Sequence, residues 1–589
     1  MFFLLQYKYD AGSTLQVVAL DQPGVPDSPK PNTLYLHKGK QHLVTLGVPG
    51  GKLLFLGDPL FPKTRQMPNL TLPENGKIDL DVLFREVKGH YCWFYLHPEG
   101  FCCGTSFGAI YPVYYHNDNG QTSICSASFT LAELTQARPH DKRNLLERVL
   151  FNYPFFNSTW WQDIKVLDAH RYLRLGASGT RVTGDFEISN YFGSPEDHSS
   201  DSLSRLTGLF DTELRRFFPE EPFGISFTGG FDGRTLVAGA KNADRQFFTY
   251  SFGRPDSTDV SMPAVQAARI GVDYQPILLD QAYVDNESLR SARAFMRLTE
   301  YNGNYGRPHY HHAAQALAAK TNYIFTGNFG SELFRALHIP GVMMSEALIR
   351  IFAAADDSWK DFLRQKTRNV NPAFFDEELE ALIEDISTYL EKMKDWEPNH
   401  RFYYFVFNEI FRKYFGPELV MQSHYLNNRT PFLNLQFFQE LNRTKWSGVH
   451  ARLFEKVKSK RMKGQMFYAT FIRNANAGMY HLKTNKGYSP ADVLEKTRLP
   501  LLLSRVVLHK YIWNKEIDDN AVRAFFEKYR PALAEHLNLE SVSPFMNDFL
   551  HPAGPERAGE AGLDQHIKMY SIAAGWDAAG KAELVPLIR

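Results

Sequence analysis

Short runs of apolar residues recur through the first third of the chain, separated by glycine, proline, aspartate and asparagine. Because these runs are short and rich in aromatic and β-branched residues, they predict β-strands rather than helices. One helix is predicted over Asp141–Phe151, and Gly120 is expected in a hairpin turn. The predicted strands are Met1–Tyr7, Leu15–Leu20, His42–Leu46, Lys52–Leu56, Tyr91–Leu96, Ala109–Tyr115 and Ser123–Phe129.

After about residue 195 the pattern changes to strands that alternate with amphipathic helices. Helices are predicted over Asp201–Phe218 and Asp259–Ile270, and strands over 224–227, Gln246–Gly253 and Tyr274–Leu279. Such alternation is typical of a parallel sheet whose ligand binds at the carboxyl ends of the strands. We therefore expect an α/β fold class, with a β-rich domain over residues 1–195 and a parallel α/β domain with helical additions over residues 196–589.

The second half of the chain is predicted to be mainly helical. The helical segments are Ser358–Asp395, Phe402–Arg412, Ala521–Tyr529 and Pro531–Leu537. The last two are separated at Pro531, because proline suits the first position of a helix. The tail Ala553–Asp564, rich in glycine, alanine and charged residues, is interpreted as a connector.

Composition narrows the class of protein but does not identify a ligand. The 589 residues carry a formal net charge of +1, which gives no sign of a nucleic-acid partner. No apolar run approaches the ~18 residues of a membrane-spanning helix. The four cysteines, Cys92, Cys102, Cys103 and Cys125, fit no zinc-binding spacing. We expect reduced thiols and a cytoplasmic protein without a membrane partner.

The stretch from Gly224 to Leu236 is the clearest candidate for chemistry. It reads as a strand, a turn that contains Gly229 and Gly230, and the start of a helix. The backbone N–H groups of such a turn, with the helix dipole, suit a phosphate or pyrophosphate. Asp232 adds a carboxylate where Mg²⁺ would bind beside the anion. The alternative is an ordinary strand-to-helix turn.

The motif Thr228-Gly229-Gly230-Phe231-Asp232 resembles the Ser-Gly-Gly-x-Asp pyrophosphate loop of the asparagine synthetase family. Members of this family adenylate a carboxylate with ATP and release pyrophosphate. The resemblance implies ATP and Mg²⁺ as cofactors. It also implies residues that bind them, which would be Ser226, Thr228, Gly229, Gly230, Asp232, Gly233, Arg234, Ser251 and Gly327.

A second Gly-rich turn, Thr326–Phe334, resembles the family's "Ser-Gly-Glu-Gly-x-Asp-Glu-Leu-Phe" loop, which helps to hold Mg²⁺. Asn328 and Ser331 stand where the family has acids. The resemblance implies Glu332 as a catalytic and metal-binding residue beside Asp232. Glu332 or Asp259 would then supply the missing charge. A solvated helix start is the alternative for Ser331 and Glu332.

Two further motifs follow in the family's order. The segment Arg429-Thr430-Pro431-Phe432-Leu433 resembles "Arg-x-Pro-Phe-Leu", with Asn427 and Asn434 in place of the flanking acids. The segment 483–490 resembles the late element that carries a phosphate-binding lysine. Arg429 and Lys486 are therefore implied as catalytic residues, with Lys483 as the alternative lysine. A surface role for either lysine is the other interpretation.

In the family, the region before residue 195 is a glutaminase domain with an N-terminal nucleophile sandwich. The segments 108–115, 158–167 and 191–192 resemble parts of that domain. A glutaminase of this type needs cysteine as its second residue, and this chain has Phe2 there. We therefore expect a degenerate glutamine amidotransferase-like domain that does not hydrolyse glutamine.

The sequence thus favours an ATP-dependent ligase that joins a carboxylate, on a small molecule or a peptide, to an amine or ammonia. Family members without a glutaminase include β-lactam and lasso-peptide macrolactam synthetases, so an intramolecular amide is one alternative. Because Asn328, Ser331 and Asn427 stand where the family has acids, a nucleotide-binding scaffold without turnover is the other alternative. Homodimer formation stays open.

A histidine cluster is a lesser candidate for metal binding. His309, His311, His312 and His424 have a spacing that suits no helical pair of ligands and no acidic partner close in sequence. A structural or surface role is favoured for them.

Overall fold

A computed structural model describes most of the chain. The described residues are 1–8, 15–26, 29–48, 50–62, 78–98, 100–118, 120–195, 199, 201–334, 343–354, 356–368, 372–451, 463–498, 502, 504, 520–537 and 560–581. The strands are β1 (Phe2–Lys8), β2 (Gln16–Ala19), β3 (Thr33–His37), β4 (His42–Val48), β5 (Gly51–Gly57), β6 (Tyr91–His97), β7 (Gly100–Thr105), β8 (Tyr114–Asp118), β9 (Gln121–Cys125), β10 (Lys165–Val166), β11 (Tyr172–Gly176), β12 (Gly179–Thr183), β13 (Phe223–Ser226), β14 (Phe247–Gly253), β15 (Tyr274–Leu278), β16 (Tyr323–Phe325) and β17 (Asn427–Arg429).

Two sheets that pack against each other form the front region, residues 1–195. One has the strand order β10-β8-β9-β1-β3-β2 and the other β12-β11-β7-β6-β5-β4. Phe3 in β1 and Phe94 in β6 meet edge to face, with ring centroids 5.1 Å apart, so the core lies between the sheets. The pairs are antiparallel apart from β2 with β3. This arrangement confirms the predicted β-rich front region.

Two of the predicted strands end differently in the structure. The run Ala109–Tyr115 becomes a strand only from Tyr114, because Pro112 has no N–H to give to a ladder. The run Ser123–Phe129 leaves the sheet after Cys125, and Ser128 begins a helix. The predicted hairpin at Gly120 is confirmed: Asp118 pairs with Gln121, and Gly120 has a φ of +85°.

The third sheet is wholly parallel and has the order β15-β14-β13-β16-β17. The helix Phe231–Asn242 follows β13, and Thr258–Ile270 follows β14, as the alternating pattern predicted. The β13 strand therefore lies at the centre, and β16 lies beside it. The carboxyl ends of these two neighbours carry the two Gly-rich turns, which brings the turns together.

Helices surround the sheets. Their bounds are Leu80–Glu86, Ser128–Thr135, Lys142–Phe151, Ser202–Phe217, Phe231–Asn242, Thr258–Ile270, Gln281–Asn286, Ser288–Leu298, Pro308–Ala318, Gly330–Phe334, Glu346–Ala353, Ser358–Arg368, Pro372–Glu391, Pro398–Phe405, the π-helical Val406–Phe415, Gly416–Gln422, Leu435–Asn442, Lys463–Ala475, Pro490–Leu494, Val522–His536 and Glu560–Lys581, with 3₁₀ turns at Ile188–Tyr191, Gly448–His450, Ala477–Met479 and Lys496–Arg498. None of the described helices combines the length and apolar character needed to cross a membrane.

Two predictions about the last helices are wrong. Pro531 lies inside one continuous helix, Val522–His536, rather than at a boundary. Phe526 and Leu533, each 2% exposed, lie seven residues apart, so one buried face spans the proline and outweighs its missing hydrogen bond. The predicted connector is also partly helical, since the helix Glu560–Lys581 begins within it; its residues 553–559 lie outside the described ranges.

A buried ion pair joins the front region to the parallel sheet. The Arg429 guanidinium, at the end of β17, donates from Nε to Asp58 Oδ2 at 2.7 Å and from Nη2 to Oδ1 at 2.9 Å. Both side chains are 7% exposed. The guanidinium also lies 4.3 Å from the ring centroid of Tyr323 and donates to the Phe217 carbonyl. The predicted catalytic Arg429 thus has a structural position between the two regions.

Removal of this guanidinium should destabilise the protein strongly. Arg429→Met leaves Asp58 buried without its partner, which costs about 3–5 kcal/mol, and we expect a large fall in melting temperature. Arg350→Met is the control, because its pair with Glu346 is about half exposed (54% and 51%). Equal melting temperatures for the two variants would contradict a structural role for the buried pair.

A second connection between the regions is the carboxyl group of Glu300 at a helix start. Glu300 Oε2 accepts hydrogen bonds from the backbone N–H of Ser128 at 2.7 Å and from the Ser128 hydroxyl at 2.9 Å. Ala127, which occupies the N-cap position just before this helix, makes no side-chain capping hydrogen bond. Burial raises the pKa of Glu300 to about 7, although the bonds from Ser128 oppose this shift.

The raised pKa makes this connection sensitive to pH. Folded Glu300 keeps its proton up to about pH 7, whereas unfolded Glu300 loses it near 4.5. The stability that Glu300 contributes is therefore lost as pH rises from 4.5 to 7. As pH rises from 5 to 8, we expect the free energy of unfolding of Glu300→Gln to increase relative to that of wild type by about 2–3 kcal/mol. Melting curves across this range test it, with exposed Glu391→Gln as control; parallel pH profiles for wild type and Glu300→Gln would contradict the assignment.

Candidate functional site

A cavity of about 180 Å³ lies where the two Gly-rich turns meet a late segment of the chain. Its described lining comes from four separate segments, around residues 230, 331, 466 and 486. The lining residues are Gly229, Gly230, Phe231, Asp232, Ser331, Phe334, Gly464, Gln465, Tyr468, Thr484, Asn485, Lys486 and Tyr488. Asp232 and Lys486 are the charged members of this set, one carboxylate and one ammonium.

The first turn connects β13 to the helix Phe231–Asn242. Gly230 precedes the helix in an extended conformation, with φ −80° and ψ 176°. No side chain caps this helix start, although Thr228 Oγ1 accepts a hydrogen bond from the Gly230 N–H at 3.4 Å. The first backbone N–H groups of the helix therefore point toward the end of the sheet, where an anion would meet the positive end of the helix dipole.

The second turn packs directly around Asp232. The Ser331 hydroxyl donates to Asp232 Oδ2 at 3.1 Å. A Cβ on Gly327 would lie 2.5 Å from the Asp232 Cβ, and one on Gly330 would lie 2.8 Å from its Oδ1. These two glycines are required because Asp232 occupies the space of their missing side chains.

Phe329, one of the two residues between these glycines, is held in an unusual conformation. Phe329 has a φ of +70°, in the region that favours glycine, and its side chain is fully buried. The Phe329 ring packs edge to face against Phe411 and Phe415, each at 4.8 Å. Strain of this kind persists only where the surroundings enforce it, and it is typical of functional loops.

The late segment lies against the first turn. The Asn485 N–H donates to the Gly229 carbonyl at 3.3 Å, and a Cβ on Gly229 would lie 2.5 Å from the Asn485 Cβ. This contact brings Lys486, an exposed lysine, into the lining of the cavity. Lys483, the alternative lysine, is exposed but is not among the described lining residues.

Arg234 binds the backbone of the late segment at Leu482 and Lys483. Its guanidinium donates to the Leu482 carbonyl at 2.8 Å and to the Lys483 carbonyl at 2.6 Å. Gln266 donates to the same Lys483 carbonyl at 2.7 Å. Arg234 is 1% exposed, and burial lowers its pKa to about 10, so it stays a cation at neutral pH. Arg234, predicted to bind the cofactor, holds the segment that carries Lys486.

The structure places other predicted residues outside the described lining of the cavity. The buried Ser251 hydroxyl contacts the Asp259 carbonyl and the Tyr274 hydroxyl. Glu332 is 9% exposed, and its backbone carbonyl accepts from Tyr403. Ser226, Thr228, Gly233 and Gly327 support the turns instead: the Ser226 carbonyl would lie 2.3 Å from a Cβ on Gly233.

Several lining residues were not predicted from the sequence. Tyr468 and Gln465 lie on the helix Lys463–Ala475, which packs against the helix of the first turn. The Tyr488 hydroxyl donates to Gln465 Oε1 at 3.0 Å, and burial raises the pKa of Tyr488. Thr484 is buried beside Lys486. Thr484 and Tyr488 had one sequence signal, their closeness to the late lysine. Gln465 and Tyr468 had none, because aromatic and amide residues carry no motif of their own.

The oxygen atoms of the Asp232 carboxylate and the Ser331 hydroxyl suit a metal cation that is bound together with a phosphate. Proteins commonly hold Mg²⁺ through one or two carboxylates together with substrate phosphates and water. Within the described residues, no group of three or more histidine, cysteine or acidic side chains could hold a metal ion. His309, His311, His312 and His424 are among these described residues. The first two are buried, and burial lowers the pKa of His309 to about 3 and that of His311 to about 4.

The four cysteines of the front region are all buried. Burial raises the pKa of every one of these thiols, that of Cys102 to about 12. The thiolate is the nucleophilic form, and burial disfavours it at all four of these cysteines.

Comparisons with known proteins leave the family open. No family model and no curated protein matches the chain. One matching solved structure is the glutamine phosphoribosylpyrophosphate amidotransferase from B. subtilis, complexed with ADP and GMP. It is 12% identical, with a TM-score of 0.15, over 42% of this chain. The match spans about half of the amidotransferase chain (52%), and a TM-score this low supports no conclusion about fold or activity.

The two glycines of the first turn should respond differently to substitution. Gly229→Ala pushes a methyl group into Asn485 and should cost about 1–3 kcal/mol. Nothing lies closer than 3.7 Å to a Cβ on Gly230, so Gly230→Ala should cost about 1 kcal/mol or less, as a change of helix cap. Thermal melting of the two variants tests this order. A larger loss for Gly230→Ala would contradict the described contact between the turn and the late segment.

Proposed function

We propose that the protein is an ATP-dependent ligase that adenylates a carboxylate, releases pyrophosphate and transfers the acyl group to an amine or ammonia. One observation carries the proposal: the first turn, the second turn and the Lys486 segment, separate in sequence, line a single cavity. The resemblance to asparagine synthetases in these three segments had suggested a common site. An ordinary strand-to-helix turn would have no need of the other two segments.

In this proposal each lining group has a distinct task. The backbone N–H groups after Gly229 bind the pyrophosphate part of ATP, and the Lys486 ammonium offsets the negative charge that develops on it. Asp232 would hold Mg²⁺, which when bound neutralises phosphate charge. Ser331 orients the Asp232 carboxylate through its hydrogen bond at 3.1 Å. Arg234 keeps the Lys486 segment in place.

The amine would come from outside the front region. Buried cysteines with raised pKa values support the expectation that this region does not release ammonia from glutamine. Free ammonia, an external amine or an amine within the same substrate would then attack the acyl carbon of the adenylate, and AMP would leave as the acyl–phosphate bond breaks. The last case corresponds to an intramolecular ligase of the β-lactam or macrolactam kind.

Binding of Mg²⁺·ATP tests the site. Asp232→Ala and Lys486→Met should each weaken binding about 10-fold or more, because each removes a charged contact with the ligand. Lys483→Met is the matched control, an exposed neighbouring lysine outside the described lining. Titration calorimetry with and without Mg²⁺ measures these effects. No binding by the wild-type protein, or equal losses for the two lysine variants, would refute the assignment.

A nucleotide-binding scaffold is the second candidate function. It is favoured by one feature: Asp232 is the lone carboxylate in the described lining, and Ser331 stands where the family has a metal-binding acid. ATP–pyrophosphate exchange with a panel of carboxylates separates the two. Exchange with any carboxylate supports the ligase, whereas tight ATP binding without exchange across the panel supports the scaffold.

A further inference from the structure

One buried hydroxyl in the cavity has no partner within the described structure. Thr484 is 3% exposed, and its Oγ1 makes no hydrogen bond to any described residue. The same residue lines the cavity beside Lys486. Buried polar groups are almost always satisfied, so an isolated hydroxyl at a cavity wall is suited to a hydrogen bond with a ligand in that cavity.

The position of this hydroxyl is set by its backbone. The Thr484 N–H donates to the Tyr488 carbonyl at 2.7 Å, and the Thr484 carbonyl accepts from the Gly487 N–H at 2.9 Å. Gly487 closes this turn with a φ of +79°. Both backbone polar groups of Thr484 form hydrogen bonds inside the turn. Its side-chain hydroxyl can therefore bond to a group outside the turn.

The surroundings identify the chemistry of the ligand that would meet this hydroxyl. Lys486 provides a positive charge two residues away, and the Gly229–Gly230 backbone forms another part of the cavity wall. In the proposed function, Asp232 would bind a Mg²⁺ ion that accompanies an anionic ligand. A hydroxyl donor in such company suits an anionic oxygen, and a phosphate oxygen accepts strong charge-assisted hydrogen bonds.

We propose that the Thr484 hydroxyl donates a hydrogen bond to an oxygen of the pyrophosphate group, so that Thr484 and Lys486 bind it on one side and the first turn on the other. This inference rests on the proposed function and adds a ligand-binding residue to it. Thr484 stabilises the bound pyrophosphate, and it contributes nothing to AMP, which has no β-phosphate.

The test compares ligands as well as variants. Calorimetry is carried out with Mg²⁺·pyrophosphate, Mg²⁺·ATP and AMP on the full chain. Thr484→Val, which keeps the shape but removes the hydroxyl, should weaken pyrophosphate and ATP binding about 10-fold and leave AMP binding unchanged. Thr484→Ser should restore binding to within about 2-fold, since it keeps the donor.

Controls separate a lost contact from a lost fold. Thr367→Val removes a hydroxyl that donates to the Leu363 carbonyl in a distant helix, and it should leave all three affinities unchanged. Without ligand, Thr484→Val should melt at or above the wild-type temperature, because it removes an unsatisfied buried group. If the valine variant fails to fold, Thr484→Ala takes its place in the comparison with Thr484→Ser.

The outcomes distinguish this inference from the function on which it rests. Suppose that Asp232→Ala and Lys486→Met weaken binding while Thr484→Val binds pyrophosphate as tightly as wild type. The inference about Thr484 is then overturned, and the proposed site stands. If Thr484→Val weakens AMP binding equally, the hydroxyl does not act on pyrophosphate, and the inference also fails. If the wild-type protein binds neither pyrophosphate nor ATP, both proposals fall together.

Discussion

The candidate site depends on the buried guanidinium of Arg234. It lies in the helix that follows the first Gly-rich turn, and it holds the carbonyls of Leu482 and Lys483, almost 250 residues further along the chain. A single planar group with several donors can satisfy both carbonyls at once, which a lysine cannot. The turn, the helix and the late lysine segment are therefore one unit, and Lys486 reaches the cavity because of it.

The contact between the two regions has a different physical basis. Asp58 and Arg429 form a two-pronged buried ion pair, and Glu300 binds the start of a helix in the front region. The Asp58–Arg429 pair places charge where water is largely excluded, so the loss of one partner is costly while the pair itself adds little net stability. Such pairs specify how two surfaces meet. The motif around Arg429, which resembles a family motif, has in this chain a role in holding the regions together.

The second turn leaves space for Asp232 and gives it a hydroxyl partner. Gly327 and Gly330 leave room for Asp232, and Phe329 keeps a backbone conformation that normally favours glycine. Ser331 contributes a hydroxyl to Asp232 rather than a second carboxylate. A cavity with one carboxylate is less negative than one with two, so a bound cation would depend more on the oxygens of its phosphate partner. This single position is where the ligase and the scaffold hypotheses differ most.

The sequence by itself determined the local elements: the strands of the parallel sheet, the helices between them and the Gly-rich turns at their ends. These follow from hydrophobic periodicity and from the special freedom of glycine, which act over a few neighbouring residues. The resemblance to a known family also predicted one site for Asp232 and a late lysine, and in the structure Asp232 and Lys486 line the same cavity. Only the tertiary structure decided that Lys486, and not Lys483, lines the cavity, and that Arg234, Arg429 and Ser251 have supporting positions. These positions depend on contacts between segments that are distant in sequence, and such contacts cannot be predicted from a local pattern of residues. Thr484 and Tyr468 were missed for the same reason, because a hydroxyl or an aromatic ring acquires a function only from the groups that the fold brings beside it.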